Sequence, residues 1–188
     1  NKKKKHNDYP YFHTDASQAA NYCELSVPRL GVDLMTLDGG KIYGPKGIGM
    51  LFVRRGVKIY PVIFGGGQEK GLRSGTENIP AIMGFAEALS IVQSDRISET
   101  KRITKLRDKA LELIEKEFPF SRLNGSPERR LPNNINVCFP GIDGEYVVLK
   151  LDANGISVSS SSSCSTLSDS PRSYVIESIG GSKDCSEG

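Results

Sequence analysis

The sequence has 188 residues, of which 37% are hydrophobic and 25% charged, and this balance is typical of a globular protein with a buried core. It has no apolar run near the roughly 20 residues that span a bilayer, nor the order of a signal peptide, so we expect a cytoplasmic protein without a membrane partner. The net charge of +3 is small, and the basic run 2–5 has no interleaved aromatic residues, which argues against nucleic acid binding.

The first half alternates short β-like runs with glycine turns. We predict strands at 32–37, 50–54 and 58–64, because β-branched and aromatic residues are concentrated there. A helix is predicted to begin near Thr76 to Pro80, with Asn78 as its cap and Pro80 in its first turn. A second, strongly charged helical stretch follows, with an apolar stripe that we assign to the core: Ile103, Leu106, Ala110, Leu113, Ile114 and Phe118.

The second half has the strand–helix–strand pattern of a separate α/β unit. We predict strands at 134–139 and 156–159, with a short helix between them at 146–154 that Gly155 closes. The sequence therefore predicts an α/β fold. We place the domain boundary between 1–95 and 96–188, in a polar stretch within or between two helices.

The four cysteines are far apart and fit neither a metal-ligand spacing nor a disulfide scaffold, so we predict reduced thiols and no metal site. Cys23 and Cys138 lie in apolar patterns and are interpreted as core thiols. Cys164 follows a serine tract typical of a flexible loop. Cys185 lies in a charged tail and is the rival of Cys164 as an exposed nucleophile.

Lys41 is a candidate for covalent chemistry. It lies just past an apolar strand, in a glycine-dense turn where backbone can approach a ligand closely. A phosphate loop is excluded because Gly49 is followed by Met50 and not by Lys-Ser/Thr. A lysine near a cofactor aldehyde can instead form a Schiff base.

Three other polar residues complement Lys41. Asp15 and Gln18 follow a short apolar strand, and Thr76 precedes a helix N-terminus, which is a natural phosphate seat. A carboxylate, an amide, an amine and an anion site are what a pyridinium ring bearing a phosphate requires. Taken alone, these three residues are typical of capping, and His13 beside them is interpreted as structural.

These segments resemble the class V aminotransferase family and, within it, the pyridoxal-phosphate-dependent cysteine desulfurases. The resemblance continues through GGGQEKGLRSGTEN at 65–78, LPNNINV at 131–137, GIDGE at 141–145 and VSSSSSCST at 158–166. It implies part of a fold-type I PLP-dependent transferase. Residues 1–95 would be the C-terminal part of the large, cofactor-binding domain, and 96–188 most of the small domain, with the mobile loop of the catalytic cysteine.

The resemblance also implies a role for each site residue. Asp15 would pair with the pyridinium nitrogen of pyridoxal 5'-phosphate, Gln18 would bind the ring hydroxyl, and Lys41 would form the internal aldimine. Thr76 would reach the phosphate in the opposite subunit of a homodimer. Cys164 would take sulfur from L-cysteine as a persulfide, leaving alanine, and pass it to an acceptor such as an iron-sulfur scaffold, for cluster or thionucleoside synthesis.

Two features depart from the family pattern. The usual Ser-x-His-Lys is replaced by Asp38-Gly39-Gly40-Lys41, so two phosphate donors are absent. Asp38 would repel a phosphate unless it turns away or pairs with a cation, so it is included among the cofactor-binding positions with an open role. Family members are also about twice as long. We therefore expect an internal portion of a full-length enzyme, inactive as an isolated chain.

Two alternatives stay open. The first is another class V PLP enzyme, such as an aminotransferase or a selenocysteine lyase, which would not need a persulfide on Cys164. The second is a non-catalytic fragment that folds without cofactor and associates through surfaces that the missing half would cover.

Overall fold

The computed structural model describes residues 10–160, 173–181 and 185. The chain divides into two compact units, Asn1–Lys101 and Arg102–Gly188. The boundary falls inside one continuous helix of 39 residues, α2, which spans Ile79–Glu117. The two helical stretches that the sequence suggested are therefore parts of this one helix.

The first unit is built on a three-stranded sheet. Its strands are β1 (His13–Asp15), β2 (Leu34–Asp38) and β3 (Gly49–Val53). Strand β2 is central, parallel to β1 and antiparallel to β3. The strands predicted at 32–37 and 50–54 are confirmed as β2 and β3, with small shifts of their ends. A short helix, α1 (Val27–Leu30), precedes β2.

The core of this unit holds the segment around Lys41 in place. Met35 and Leu37 alternate with more exposed neighbours along β2, and each is only 2% exposed, as the period of a strand with one buried face requires. Ile42, directly after Lys41, is completely buried. The buried set also includes Phe85 of α2 and is completed by Ala16, Ala20 and Val32.

The start of α2 agrees with its predicted capping signals. The side-chain oxygen of Asn78 accepts a hydrogen bond from the Ala81 N–H at 3.2 Å, and Pro80 lies in the first turn. The predicted core stripe further along the helix is partly wrong. Leu106 and Leu113 are 56% and 48% exposed, because amphipathic spacing predicts an apolar face but not which element covers it. Among the described residues, no helix is long and apolar enough to cross a membrane.

Two predicted strands are wrong. Residues 58–64 form no strand, and Tyr60, Val62 and Phe64 are 86%, 88% and 79% exposed. Pro61 interrupts this run, lacks an N–H and so disfavours pairing inside a sheet. Residues 156–159 are likewise irregular, since a short β-like run forms a strand only where a neighbouring strand pairs with it.

The described residues of the second unit comprise the end of α2, a small two-stranded sheet and two short helices. Strand β4 (Arg122–Leu123) pairs antiparallel with β5 (Val137–Cys138), which confirms only the end of the strand predicted at 134–139. The predicted short helix is confirmed as α3 (Gly144–Asp152), which Asp143 caps by accepting from the N–H groups of the following turn. A further short helix, α4, spans Tyr174–Ser178.

The cysteine predictions need correction. Cys138 and Cys185 form a disulfide, and both are buried beside Ile176, so neither is a reduced thiol and Cys185 is not an exposed nucleophile. Packing joins positions 47 residues apart, which spacing along the chain cannot show. Cys23 is a free but exposed cysteine and not a core thiol, since it lies just beyond the first buried turn. Cys164 lies outside the described residues.

Candidate active site

Lys41 ends a 3₁₀ turn, Gly39–Lys41, that follows β2 directly. The turn is closely packed, because an added Cβ at Gly39 would lie 2.8 Å from the side chain of Ile48. The Gly39 carbonyl accepts from the N–H groups of Ile42 and Gly44 at 3.2 and 2.9 Å. The side chain of Lys41 is exposed while Ile42 beside it is buried. The fold therefore fixes the backbone of Lys41 and leaves its amine accessible.

Asp15 lies at the end of the strand beside β2. Because β1 and β2 are parallel, with Asp15 opposite Thr36, their carboxyl ends lie at the same edge of the sheet. Asp38 ends β2 and Lys41 follows it at this edge, and exposed Gln18 follows β1. Ligands of open α/β sheets bind beyond the carboxyl ends of parallel strands. The fold thus brings Asp15, Gln18, Asp38 and Lys41 to the edge of the sheet where a ligand is expected to bind.

Ser17 shapes the charge of Asp15. The backbone N–H of Ser17 donates to Oδ1 of Asp15 at 2.9 Å. The pKa of Asp15 is lowered, first by the Ser17 side-chain hydrogen bond and then by this N–H, while burial acts in the opposite direction. Asp15 is therefore an anion at neutral pH. The His13 ring forms a hydrogen bond with the hydroxyl of Thr36 on the neighbouring strand, at 2.8 Å.

Asp38 turns towards its own backbone. Its Oδ1 accepts from the Gly40 N–H at 2.8 Å and so caps the turn that carries Lys41. This contact meets part of the hydrogen-bonding capacity of the Asp38 carboxylate. The ionised carboxylate itself has no hydrogen to donate to a phosphate. The stem of Lys46 passes beside Gly40, where an added Cβ would lie 3.7 Å from its Cγ.

Asn21 also contacts the lysine turn. Its Nδ2 donates to the carbonyl oxygen of Lys41 at 2.8 Å, and its side chain is buried. No sequence signal points to Asn21, because nothing in the sequence connects it with a residue 20 positions away. The contact of Ser17 with Asp15 was also missed, although the Asp-x-Ser spacing is a local signal for such a bond.

Thr76 lies in the glycine-rich loop before α2 and is exposed. The loop is ordered by its own contacts, since Gln68 accepts from the Gly75 N–H at 3.2 Å and buried Ser74 donates through its N–H to the Ile63 carbonyl at 3.3 Å. Within the described residues, no group of three or more acidic, histidine or cysteine side chains could hold a metal ion.

A lysine and an ionised carboxylate at the carboxyl ends of neighbouring strands are an arrangement suited to binding a cofactor. The aminotransferase class V family matches residues 2–175. The chain therefore belongs to the class V aminotransferase family.

Curated relatives share this stretch of sequence. The chain is 47% identical over 168 residues to cysteine desulfurase IscS 1 of Archaeoglobus fulgidus, an alignment that covers 89% of this chain and 44% of the relative. It is 44% identical over 169 residues to cysteine desulfurase IscS of Dictyoglomus turgidum, with 90% and 43% covered. The chain thus spans less than half the length of these relatives.

Solved structures support the fold. A NifS-like protein matches 97% of the chain with a TM-score of 0.83 and 34% identity, over 46% of its own length. SspA, determined in complex with cysteine, matches 94% of the chain with a TM-score of 0.67 and 31% identity, over 48% of its own length. The chain therefore has part of a fold-type I transferase fold, as predicted.

Proposed function

We propose that this chain is part of a PLP-dependent cysteine desulfurase that converts L-cysteine to L-alanine and receives the sulfur on Cys164. The observation that carries this proposal is the placement of Lys41 and ionised Asp15 beyond the ends of two parallel strands. The names of the relatives and the cysteine complex of a structural neighbour support the substrate.

The polar residues at the sheet edge fit pyridoxal 5'-phosphate. Asp15 would offer an anionic oxygen to the protonated ring nitrogen, and the Gln18 amide would hold the ring hydroxyl. The exposed amine of Lys41 is available for covalent attachment. When bound, the cofactor supplies an electron sink for charge that develops on the substrate carbon.

The phosphate is the part of the cofactor for which this chain offers fewest donors. Asp38 caps the turn through the Gly40 N–H and takes no donor role. We assign the phosphate to backbone N–H groups and to Thr76 of the opposite subunit in a homodimer. Because each charge-assisted hydrogen bond contributes about 1.5–3 kcal/mol, losing two side-chain donors should weaken phosphate binding.

Lys41 and Cys164 have separate roles in the proposed reaction. Lys41 moves a proton at the substrate α-carbon, as a positioned amine can. The Cys164 thiolate attacks the substrate sulfur, and the carbon–sulfur bond breaks. The electron pair of the broken bond stays with the substrate carbon, which is protonated to give alanine. Cys164 is left as a persulfide.

The proposal extends to partners and location. We place the protein in the cytoplasm, with a sulfur-acceptor protein such as an iron-sulfur scaffold as its partner, in cluster or thionucleoside synthesis. The domains are proposed to be 1–95 and 96–188. For the homodimer we assign the exposed apolar segment 60–64, which adjoins the Thr76 loop through the Ile63 carbonyl.

The test is to incubate the whole protein with pyridoxal phosphate and L-cysteine and to measure alanine and sulfide. Lys41→Ala is expected to abolish both products, whereas Lys109→Ala, an exposed lysine on α2, retains them. Cys164→Ser should abolish turnover, with Cys23→Ser as the matched control for an exposed thiol. Alanine release that survives Cys164→Ser would favour a selenocysteine lyase or aminotransferase, and no alanine from the wild-type protein would refute the proposal.

A further inference from the structure

We propose that Asn21 is a positioning residue for Lys41, acting through the backbone of the lysine and not through its amine. This role rests on the function proposed for Lys41. It is independent of the family resemblance, which assigned nothing to position 21.

The amide of Asn21 is held rigidly. Asn21 ends the 3₁₀ turn Ala19–Asn21. This turn is fixed to α2 by Gln93, whose Nε2 donates to the carbonyls of Ala20 and Cys23 at 2.5 and 3.0 Å. The hydroxyl of Thr100 donates to the carbonyl of Tyr22 at 3.1 Å. A donor anchored in this way fixes the atom that it contacts.

Asn21 contacts Lys41 at the end of the Gly39–Lys41 turn. Asp38 caps the start of the turn through the Gly40 N–H, and the buried side chain of Ile42 anchors the residue that follows. Between them, the Asn21 Nδ2 holds the Lys41 carbonyl at 2.8 Å. The peptide group between Lys41 and Ile42 is thus held at both ends, by the Asn21 bond to its carbonyl and by the bond from the Ile42 N–H to the Gly39 carbonyl. These two bonds restrain the backbone from which the lysine side chain leaves the sheet edge. Small displacements of a reacting group have large effects on rate.

The other end of the amide reduces the net stability that Asn21 is expected to contribute. The Oδ1 of Asn21 is buried and has no hydrogen-bond partner among the described residues. An unpaired buried acceptor is costly and offsets much of what the Nδ2 bond contributes. Asn21→Ala removes the bond and the unpaired oxygen together. We therefore expect little change in stability and a specific effect on Lys41.

The experiment compares wild-type protein, Asn21→Ala and a matched control. Asn154→Ala is the control, because Nδ2 of Asn154 also donates to a lysine carbonyl, that of Lys150, at 2.8 Å in α3. Four properties of the whole protein are measured: the fraction of pyridoxal phosphate attached to Lys41, the affinity for pyridoxine phosphate, the thermal midpoint, and the amide hydrogen exchange of the lysine turn. Pyridoxine phosphate lacks the aldehyde and reports binding without attachment. Amide hydrogen exchange of Ile42 and Gly44 reports the turn without any cofactor.

Asn21→Ala should lower attachment to Lys41 roughly fivefold, the effect of one hydrogen bond. It should speed the exchange of both amides. Pyridoxine phosphate affinity should change less than about twofold and the thermal midpoint less than about 4 °C. Unchanged attachment and exchange would overturn the proposal. So would equal losses of attachment and pyridoxine phosphate affinity with a large fall in the midpoint. If the wild-type protein attaches no cofactor, the proposed function fails, and exchange alone decides the role of Asn21.

Discussion

Gly84 of α2 lies against Pro45, so closely that an added Cβ at Gly84 would be 2.6 Å from Cγ of the proline ring. Pro45 belongs to the loop that leaves the Lys41 turn. On the next turn of α2, Ala88 approaches the same loop, since its Cβ would lie 3.1 Å from a Cβ added at Gly44. The long helix therefore packs directly on the segment that follows the lysine.

Gly84→Ala tests this contact by stability. In a helix without tertiary contacts the change would stabilise by about 1 kcal/mol. Here the methyl group meets a rigid ring, and overpacking of this kind costs about 1–3 kcal/mol. We expect a net loss in the free energy of unfolding, measured by denaturant titration. Ser90→Ala, at an exposed position of the same helix, is the control. A stabilised Gly84→Ala protein would show that the contact is absent.

The Cys138–Cys185 disulfide is expected to stabilise the second unit. It closes a loop between residues 47 positions apart, and cross-links of that size contribute about 2–4 kcal/mol by restricting the unfolded chain. Cys138→Ser should lower the denaturant midpoint under oxidising conditions and remove its dependence on added thiol. Cys23→Ser should change neither property. A wild-type midpoint that does not respond to reduction would count against the bridge.

The charge of Asp15 should depend on Ser17. Ser17→Ala removes the hydroxyl bond that lowers the carboxyl pKa, so that pKa should rise towards its ordinary value. The direction in which stability changes with pH follows from this shift. A lowered folded-state pKa contributes stability above the unfolded pKa, and this is lost as pH falls through the folded value. The gain is small because Asp15 is exposed. Carboxyl NMR titration measures the shift, and a pKa that stays equal or falls would be the contrary result.

The dimer assignment predicts an effect of charge on the exposed apolar segment. Val62 is 88% exposed and Phe64 79%. Val62→Asp should turn a homodimer into a monomer, because an unpaired carboxylate would be buried at the interface. Sedimentation of the whole protein measures this, with Lys58→Asp, at an exposed position before the segment, as the control. A Val62→Asp dimer would place the interface elsewhere.

Local signals in the sequence predicted local structure well. The Asn78 cap, the alternation along β2 and the left-handed Gly155 after α3 each depend on residues a few positions apart. The Lys41 turn was found in the same way, from its glycines and the apolar strand before it. These are features that propensity and capping determine.

Long-range packing was not predictable from the same signals. The bond from Asn21 to Lys41 and the pairing of Cys138 with Cys185 depend on how separate elements come together. The run around Val62 has the composition of a strand, yet no strand pairs with it in the described chain. Side chains at such positions take their roles from the neighbours that the fold supplies.

The attachment residue is the most direct test of the proposed function. The whole protein is incubated with pyridoxal phosphate, reduced with borohydride and digested, and the modified lysine is identified by mass spectrometry. We predict a single major site at Lys41, at about one cofactor per chain, and no specific site in Lys41→Ala. Scattered labelling of exposed lysines, or a major site at another lysine such as Lys46, would contradict the assignment of Lys41.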